Sequence, residues 1–383
     1  MLACRRCPLC CSLSAAAFAG AWLVCAWNAP LKLTFFSEEE GGALAALQDA
    51  SLRGFRPAPE LPAAVAASRP TAPCEGPLCG VLWDGQAVLG SDGPHRCLMR
   101  WMEPGEYLGG GPEPQLCLRP YPDIVSSHVL EHGVWQDCPL LAHWWGDVPC
   151  PPHLPNCSKN TYMDIGANIG TCLMQMIARN DVAKAYAFEP SPANLYYLTS
   201  SILANPSSAS KVALWPVGLG SSRASHALYE EPGNAGNSAL DRMPDVAAKR
   251  VGQVETVTLD SILMEGPGPP PYIHLAKMDV QGYEGQVLEG ASKLLKSGVV
   301  GVWKFEVATH LLAVQGTTVA AFFNVFIENG YTLWDVLSVS PLAQIALQTY
   351  ACGDPVEKEI VATHGAHVSS WLGYEAAQSP VSC

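Results

Sequence analysis

Tyr162-Met-Asp-Ile-Gly-Ala-Asn-Ile-Gly-Thr171, followed by Ala187-Phe-Glu-Pro190, is the stretch whose reading decides the fold. It reads as an apolar strand ending at Asp164, a glycine-rich turn through Gly166, Asn168 and Gly170, and a helix from Thr171. A second strand, Lys184 to Phe188, then ends in an acid, Glu189, with Pro190 behind it. Glycines at such a turn take positive φ and let the backbone approach a ligand closely. An acid about twenty residues later, at the tip of the second strand, stands where a pair of ribose hydroxyls is held. The pattern predicts a nucleoside-binding βαβ unit.

Charge separates the two usual ligands of such a unit. A dinucleotide sets its pyrophosphate against the first glycine turn, where backbone N–H groups and a helix N-terminus attract anions. Here Asp164 stands at the entry of that turn, and no Gly-x-Gly-x-x-Gly is present. A fixed carboxylate beside a pyrophosphate is repelled by roughly several kcal/mol at low effective dielectric. S-adenosylmethionine has no phosphate, and its sulfonium and ammonium both gain from a nearby carboxylate. The sequence favours S-adenosylmethionine over a nicotinamide dinucleotide.

The remainder of the 383-residue chain bounds the reading. Lys and Arg total 22 against 35 Asp and Glu, a formal charge of −13. Phosphate-backbone binding needs clustered Lys and Arg, so no nucleic-acid partner is expected. A small molecule, a glycan or a lipid fits better. Arg5 and Arg6 precede an uncharged apolar run from Pro8 to Trp27. Its length lies at the border between a signal-peptide core and a membrane span. Three readings stay open: an uncleaved single-pass signal anchor, which Trp22 and Trp27 favour, a removed signal peptide, and an organelle-targeting leader. The first sends the body of the chain to the lumenal side of the secretory pathway; the others make it secreted or organellar.

Cysteine usage agrees with an oxidising compartment. Cys4, Cys7, Cys10 and Cys11 sit in the leader without a His or second Cys-x-x-Cys to complete a zinc site, so no metal is expected. Cys74, Cys79, Cys97, Cys117, Cys138, Cys150 and Cys157 precede the glycine turn, enough for up to three disulfides. Cys138, Cys150 and Cys157, interleaved with prolines, read as a stapled loop, with disulfides expected among them and Cys117.

Four segments follow. Residues 1–30 are the leader, 31–95 an Ala/Pro/Gly-rich linker or stem, 96–159 a Cys/Pro/Trp-rich extension, and 160–375 the α/β domain. Ile124 to Gln136 reads as a short helix or two short strands, and Trp135, Trp144 and Trp145 as lid or core packing. Within the α/β domain, Pro192 to Leu203 is a predicted helix, and Lys211 to Val217 a strand ending at Gly218. Ala224 to Thr258 reads as an antiparallel excursion carrying Asn237 and Ser238, and Thr258 to Leu263 as a helical turn begun by Asp260. Tyr272 to Met278 reads as a buried strand, followed by a helix from Glu284 to Lys296. Val299 to Phe305 reads as a strand with Glu306 at its tip, Val319 to Asn329 as a helix and Tyr331 to Val336 as a strand. Strand and helix alternating at these lengths predict a doubly wound, mostly parallel sheet with helices on both faces.

Asp164-Ile-Gly-Ala-Asn-Ile-Gly170, Phe188-Glu-Pro190, Thr258-Leu-Asp260 and Lys277-Met-Asp279-Val-Gln-Gly282-Tyr-Glu284, in that order, resemble FkbM-type S-adenosylmethionine-dependent methyltransferases. The resemblance runs from about Asn160 to Val336. Gln281 stands where the family usually has an acid. The resemblance implies a Rossmann-like class I methyltransferase fold, with O-methylation of a hydroxyl on a sugar, lipid or other small molecule. The cofactor residues expected are Asp164, Gly166, Asn168, Gly170, Glu189, Pro190 and Gly218.

Ligands in such sheets bind beyond the carboxyl ends of the strands. Asp279 lies just past one such end and Glu306 at another. Lys277 shares the Asp279 side of its strand and is expected to hold that carboxylate ionised. Asp279 is the first candidate for orienting or deprotonating the acceptor, with Glu306 next and His310, at i+4 from Glu306 in a possible helix, after it. Two other functions remain open from the residues alone: a non-catalytic domain binding a glycan or protein partner in the same pocket, and a nicotinamide-dependent oxidoreductase.

Overall fold

The computed structural model describes residues 96–120, 123–147, 157–241, 248–265, 270–337, 340–353, 356–364 and 378–383. The leader, the stem and Cys150 lie outside the described residues, as do the expectations attached to them. Among the described residues no helix is long and apolar enough to cross a membrane.

In chain order the elements begin with an antiparallel hairpin, β1 (Leu98–Trp101) and β2 (Gln115–Leu118), then helices α1 (Ile124–His132) and α2 (Cys138–Asp147). The α/β body opens with β3 (Thr161–Ile165), α3 (Thr171–Ala178), β4 (Lys184–Phe188), α4 (Pro192–Ala204) and β5 (Val212–Trp215). A strand-rich insert follows: β6 (Gly218–Leu219), β7 (Ala224–Glu231), β8 (Asn234–Leu240) and β9 (Lys249–Val257). The body resumes with α5 (Leu259–Leu263), β10 (Ile273–Met278), α6 (Glu284–Glu289), α7 (Ser292–Ser297) and β11 (Val300–Ala308). It closes with α8 (Thr309–Val314), α9 (Val319–Glu328), β12 (Tyr331–Asp335), β13 (Ser340–Pro341), α10 (Gln344–Cys352) and β14 (Glu357–His364).

The main sheet runs β13-β12-β14-β11-β10-β3-β4-β5. From β5 to β11 every pairing is parallel, whereas β14 enters antiparallel between β11 and β12. Every residue of β3 and β10 is buried, as a parallel strand covered on both faces requires. The chain moves outward from β3 to β5 on one side and returns to β10 on the other. The order therefore reverses between β3 and β10, and a crevice opens there past the strand ends. The insert forms a separate sheet, β6-β9-β7-β8.

Helix α3 is buried along its whole length. A helix buried all round needs cover on its outer side, and α2 supplies it through the Cys138–Cys172 disulfide and a Gln175 Nε2 bond to the Cys138 carbonyl at 2.7 Å. Trp144 and Trp145 pack into this core. The β2 backbone is bonded by side chains of α4 and its C-terminal cap: Ser201 Oγ accepts from Cys117 N at 2.9 Å, and Asn205 spans Gln115 N and O.

Several sequence expectations need correction. The expected Cys138–Cys150–Cys157 staple is replaced, for Cys138, by the bridge to Cys172. Cys117 pairs with Cys97 across the hairpin, and Cys352 with Cys383. The predicted strand from Lys211 to Val217 stops at Trp215, because Pro216 has no N–H for a ladder, and the chain then crosses to the second sheet. Asp260 does not open α5. Thr258 caps it, while the Asp260 carboxylate accepts from Lys293 N and Leu294 N at 2.8 and 2.9 Å and caps α7. That capping splits the single helix expected from Glu284 to Lys296 into α6 and α7. Gly290 sits at the break, where a Cβ would lie 2.0 Å from the Gly220 carbonyl oxygen. Strand β11 runs on past Phe305 because β14 pairs along its length, so Glu306 lies inside the strand opposite Glu359. His310 is in α8, an exposed residue on a different element from Glu306, and the two share no helix face.

Candidate functional site

A cleft opens where the strand order reverses, past the ends of β3, β4 and β10. Its near wall is the glycine turn and the end of β4, with Gly166, Asn168, Glu189 and Pro190. Its far wall is the loop after β10, Asp279 to Tyr283, and the insert adds Gly218, Leu228, Ser238 and Leu240. None of the described residues that line it is Lys or Arg.

The turn owes its shape to left-handed backbone at Gly166 (φ 76°), Asn168 (φ 53°) and Gly170 (φ 89°). At Gly166 the requirement is absolute in space as well as in φ, since a Cβ would lie 1.9 Å from the Asp279 carbonyl oxygen. Gly170 serves packing, not the cleft: a Cβ there would meet Leu198 Cδ1 at 2.5 Å.

Glu189 is held from three directions. Its Oε2 accepts from Asn168 N at 2.7 Å, and its Oε1 accepts from Ser191 N at 2.8 Å and from Asn194 Nδ2 at 3.1 Å. A carboxylate offers about four acceptor positions, so capacity remains for a ribose hydroxyl. Burial pushes the Glu189 carboxyl up, opposed by the Ser191 and Asn168 N–H groups, Asn194 and the Arg119 charge.

Beneath the turn lies a buried ion pair. Lys277 Nζ sits 3.4 Å from Asp164 Oδ1, 3.2 Å from the Gly166 carbonyl oxygen and 3.6 Å from Asp279 Oδ2. Burial opposes the Lys277 charge, but the Asp164 and Asp279 carboxylates outweigh it and raise its pKa. Asp164 is buried and its pKa raised by burial, against the pull of Lys277. Neither Asp164 nor Lys277 lines the cleft; together they tie the turn to β10.

Asp279 does line it, with its side chain 37% exposed. Burial pushes its carboxyl up, but Lys277, Lys304 and a 2.8 Å bond from Gln281 Nε2 more than offset this, leaving the pKa below its ordinary value. Gln281 adopts φ 54°, and the loop around it is clamped by Glu284 Oε1, which accepts from Val280 N and Gly282 N at 3.1 and 3.2 Å. Glu306 behaves in the opposite way. Burial first, then Asp279, Glu359 and Glu357, push it up to about 9. That shift favours its protonated form at neutral pH. Neither Glu306 nor His310 lines the cleft.

Two polar lining residues were not singled out from sequence, Asn194 and Tyr283. Tyr283 stands inside the Lys277–Glu284 motif, which signals it. Asn194 carries no signal beyond its place in the first turn of the helix after Glu189.

Comparison with known proteins follows the same lines. The family model of the methyltransferase FkbM domain matches residues 164–333. Among solved structures, a methyltransferase FkbM from Methylobacillus flagellatus KT is 15% identical, with 60% of this chain and 56% of that one covered and a TM-score of 0.32. The match thus spans little more than half of that protein's length. A precorrin-6y C5,15-methyltransferase from Geobacter metallireducens GS-15 is 13% identical over 58% of this chain and 87% of its own, with a TM-score of 0.29. An rRNA methylase from Streptococcus thermophilus is 14% identical over 58% and 91%, with a TM-score of 0.28. Structural likenesses this weak say nothing about substrate. No curated protein gives a significant sequence match. The sheet order, with one reversed strand inserted before the last parallel one, is that of the class I methyltransferase fold. Residues 164–333 of this chain are an FkbM-type methyltransferase domain.

Proposed function

We propose that this chain transfers a methyl group from S-adenosylmethionine to a hydroxyl oxygen of a carbohydrate, lipid or other small molecule. The observation that carries the reading is the cleft at the strand-order reversal, walled by two acids, Glu189 and Asp279, with no Lys or Arg among the described residues that line it. Such walls suit a cationic sulfonium donor and repel a pyrophosphate. The donor residues are Gly166, Asn168, Glu189, Pro190 and Gly218 at the cleft, with Asp164 and Gly170 supporting the turn from behind.

Bound at the cleft, S-adenosylmethionine would supply the methyl on a sulfonium, with the C–S electron pair leaving on sulfur as the acceptor oxygen bonds to that carbon. The protein's part is alignment, which contributes on the order of 7–11 kcal/mol, and handling of the hydroxyl proton. Asp279 stays ionised, held by Lys277 and Gln281, and accepts the hydrogen bond of the acceptor hydroxyl. Its low pKa makes it an orienting acceptor first and a weak base second. The apolar side chains of Leu228 and Leu240 limit water at the same wall.

Transfer of label from methyl-labelled S-adenosylmethionine to a panel of glycans, lipids and small alcohols tests the activity. Asp279→Asn is expected to cut turnover by about 10²–10⁴-fold while donor affinity stays near wild type. Normal turnover would place the proton acceptor elsewhere, and lost donor binding would make Asp279 a donor-site residue.

The compartment proposed is the secretory lumen, with the leader as a single-pass anchor. Disulfides Cys97–Cys117, Cys138–Cys172 and Cys352–Cys383 support an oxidising environment. Alkylation of protein from its native cell without reductant should leave these cysteines unlabelled; full labelling would contradict that compartment.

A further inference from the structure

The segment ahead of the family domain reaches the donor wall through one side chain. Arg119 follows β2, and only 1% of its surface is exposed. Ser126 Oγ accepts from its backbone N at 3.1 Å, and its guanidinium lies over the Tyr197 ring at 5.1 Å. Its Nη2 donates to Asn194 Oδ1, and Asn194 Nδ2 donates to Glu189 Oε1 at 3.1 Å. The order of that relay is fixed by chemistry. A guanidinium has donors only, so the amide oxygen of Asn194 must face Arg119. The amide NH₂ must then face the carboxylate.

We infer that Arg119 is a positioning residue of the methyl-donor site, orienting Glu189 through Asn194 and balancing its charge. The inference rests on the reading of the cleft as an S-adenosylmethionine site. It gives residues 96–147 a part in donor binding, although the family domain begins only at residue 164. The same segment is bolted to the glycine turn's helix by Cys138–Cys172.

Charge supports the geometry. Burial drives the Glu189 carboxyl toward its neutral form, and the Arg119 charge opposes that drive. The other groups around Glu189 are few. The glycine turn brings the Asn168 N–H, and the start of α4 brings the Ser191 N–H and the Asn194 amide. The end of β5 brings the Trp215 carbonyl, bonded to Glu189 N at 3.2 Å. The described residues of the insert line the cleft with no charged side chain, and the loop after β10 brings Asp279 across it. An ionised carboxylate binds hydroxyls about twice as strongly as a neutral acceptor, so losing Arg119 should make donor-site binding depend on pH.

The test is calorimetric titration of the full chain with S-adenosylhomocysteine between pH 5.5 and 8.5, for the wild type, Arg119→Met and Arg119→Lys. The wild type should bind. For Arg119→Met the affinity should fall by about 10-fold or more at the acid end, recovering as pH rises and Glu189 ionises. Arg119→Lys should keep most of the wild-type profile. Should Arg119→Met fail to fold, Asn194→Asp carries the same test, because it keeps the acceptor for Arg119 but sets a second carboxylate against Glu189. It should shift the pH midpoint upward in the same way. Wild-type binding with an unmoved midpoint in the folded variants, or a loss equal at every pH, would overturn the inference and leave the donor site standing. Failure of the wild type to bind at all would overturn the donor reading and the inference with it.

Discussion

Replacing Lys277 with Met should cost this protein about 3–5 kcal/mol of folding stability, the usual cost of stranding one partner of a buried ion pair. The geometry gives a similar figure. Two unit charges 3.4 Å apart, the Lys277–Asp164 separation, attract by about 5 kcal/mol at an effective dielectric of about 20. The second contact, to Asp279 Oδ2 at 3.6 Å, adds less because that carboxylate is 37% exposed and solvent screens it. The Gly166 carbonyl also loses its donor at 3.2 Å. At roughly 2–3 °C per kcal/mol for a domain of this size, the midpoint should drop by about 6–15 °C. Thermal melts of Lys277→Met, Asp164→Asn and the double variant are the assay. Asp164→Asn removes the stranded charge, so the double variant should be markedly more stable than the sum of the single losses predicts. The sign with pH is fixed as well. Without Lys277 the Asp164 carboxyl, already raised by burial, is raised further, so the folded variant binds a proton that the unfolded chain releases. The deficit should therefore widen as pH rises and shrink toward pH 5. A Lys277→Met protein that melts within about 2 °C of the wild type, or purely additive single losses, would refute this account of the turn.

Gly166→Ala should abolish most donor-site binding, because its Cβ would lie 1.9 Å from the Asp279 carbonyl oxygen and force the two walls of the cleft apart. Gly233→Ala is the control: its φ of 81° carries similar left-handed strain, roughly 1–2 kcal/mol, with no atom within 4 Å, so S-adenosylhomocysteine affinity should not change. Equal affinities in all three proteins would contradict the cradle. Glu306, pushed up to about 9, binds a proton in the folded state that the unfolded chain has lost above about pH 4.3. Its share of stability therefore falls as pH rises from the acid range toward 9, and Glu306→Gln should gain on the wild type steadily across that window. A melting difference that stays flat from pH 5 to 9 would contradict the assignment.

The parts of the fold legible in sequence were those set by local chemistry. The Asp164–Gly170 turn needs left-handed backbone, which glycine and asparagine advertise, and the strands beside it are short, mostly apolar runs. Cleft residues inside such motifs, Gly166, Asn168, Glu189 and Asp279, could be named from the sequence. What could not be read was set by partners distant in the chain. Strand β11 extends past Phe305 only because β14, more than fifty residues later, pairs with it, and that moved Glu306 from a strand tip into a strand. Cys138 bonds to Cys172 and not to its neighbours in the proline-rich loop, a choice made by the packing of α2 on α3. Arg119 had no sequence signal at all, since its role exists only once β2 lies along α4.

The central claim is that the cleft between β3 and β10 is a methyl-donor site, and calorimetric titration of the intact protein with S-adenosylhomocysteine, with Glu189→Gln alongside, tests it most directly. The account predicts saturable one-site binding by the wild type. It also predicts a loss of roughly 1.5–3 kcal/mol in the folded variant, the usual worth of a hydrogen bond to a charged group. Absence of binding to the wild type, or undiminished affinity in a folded Glu189→Gln protein, would contradict it.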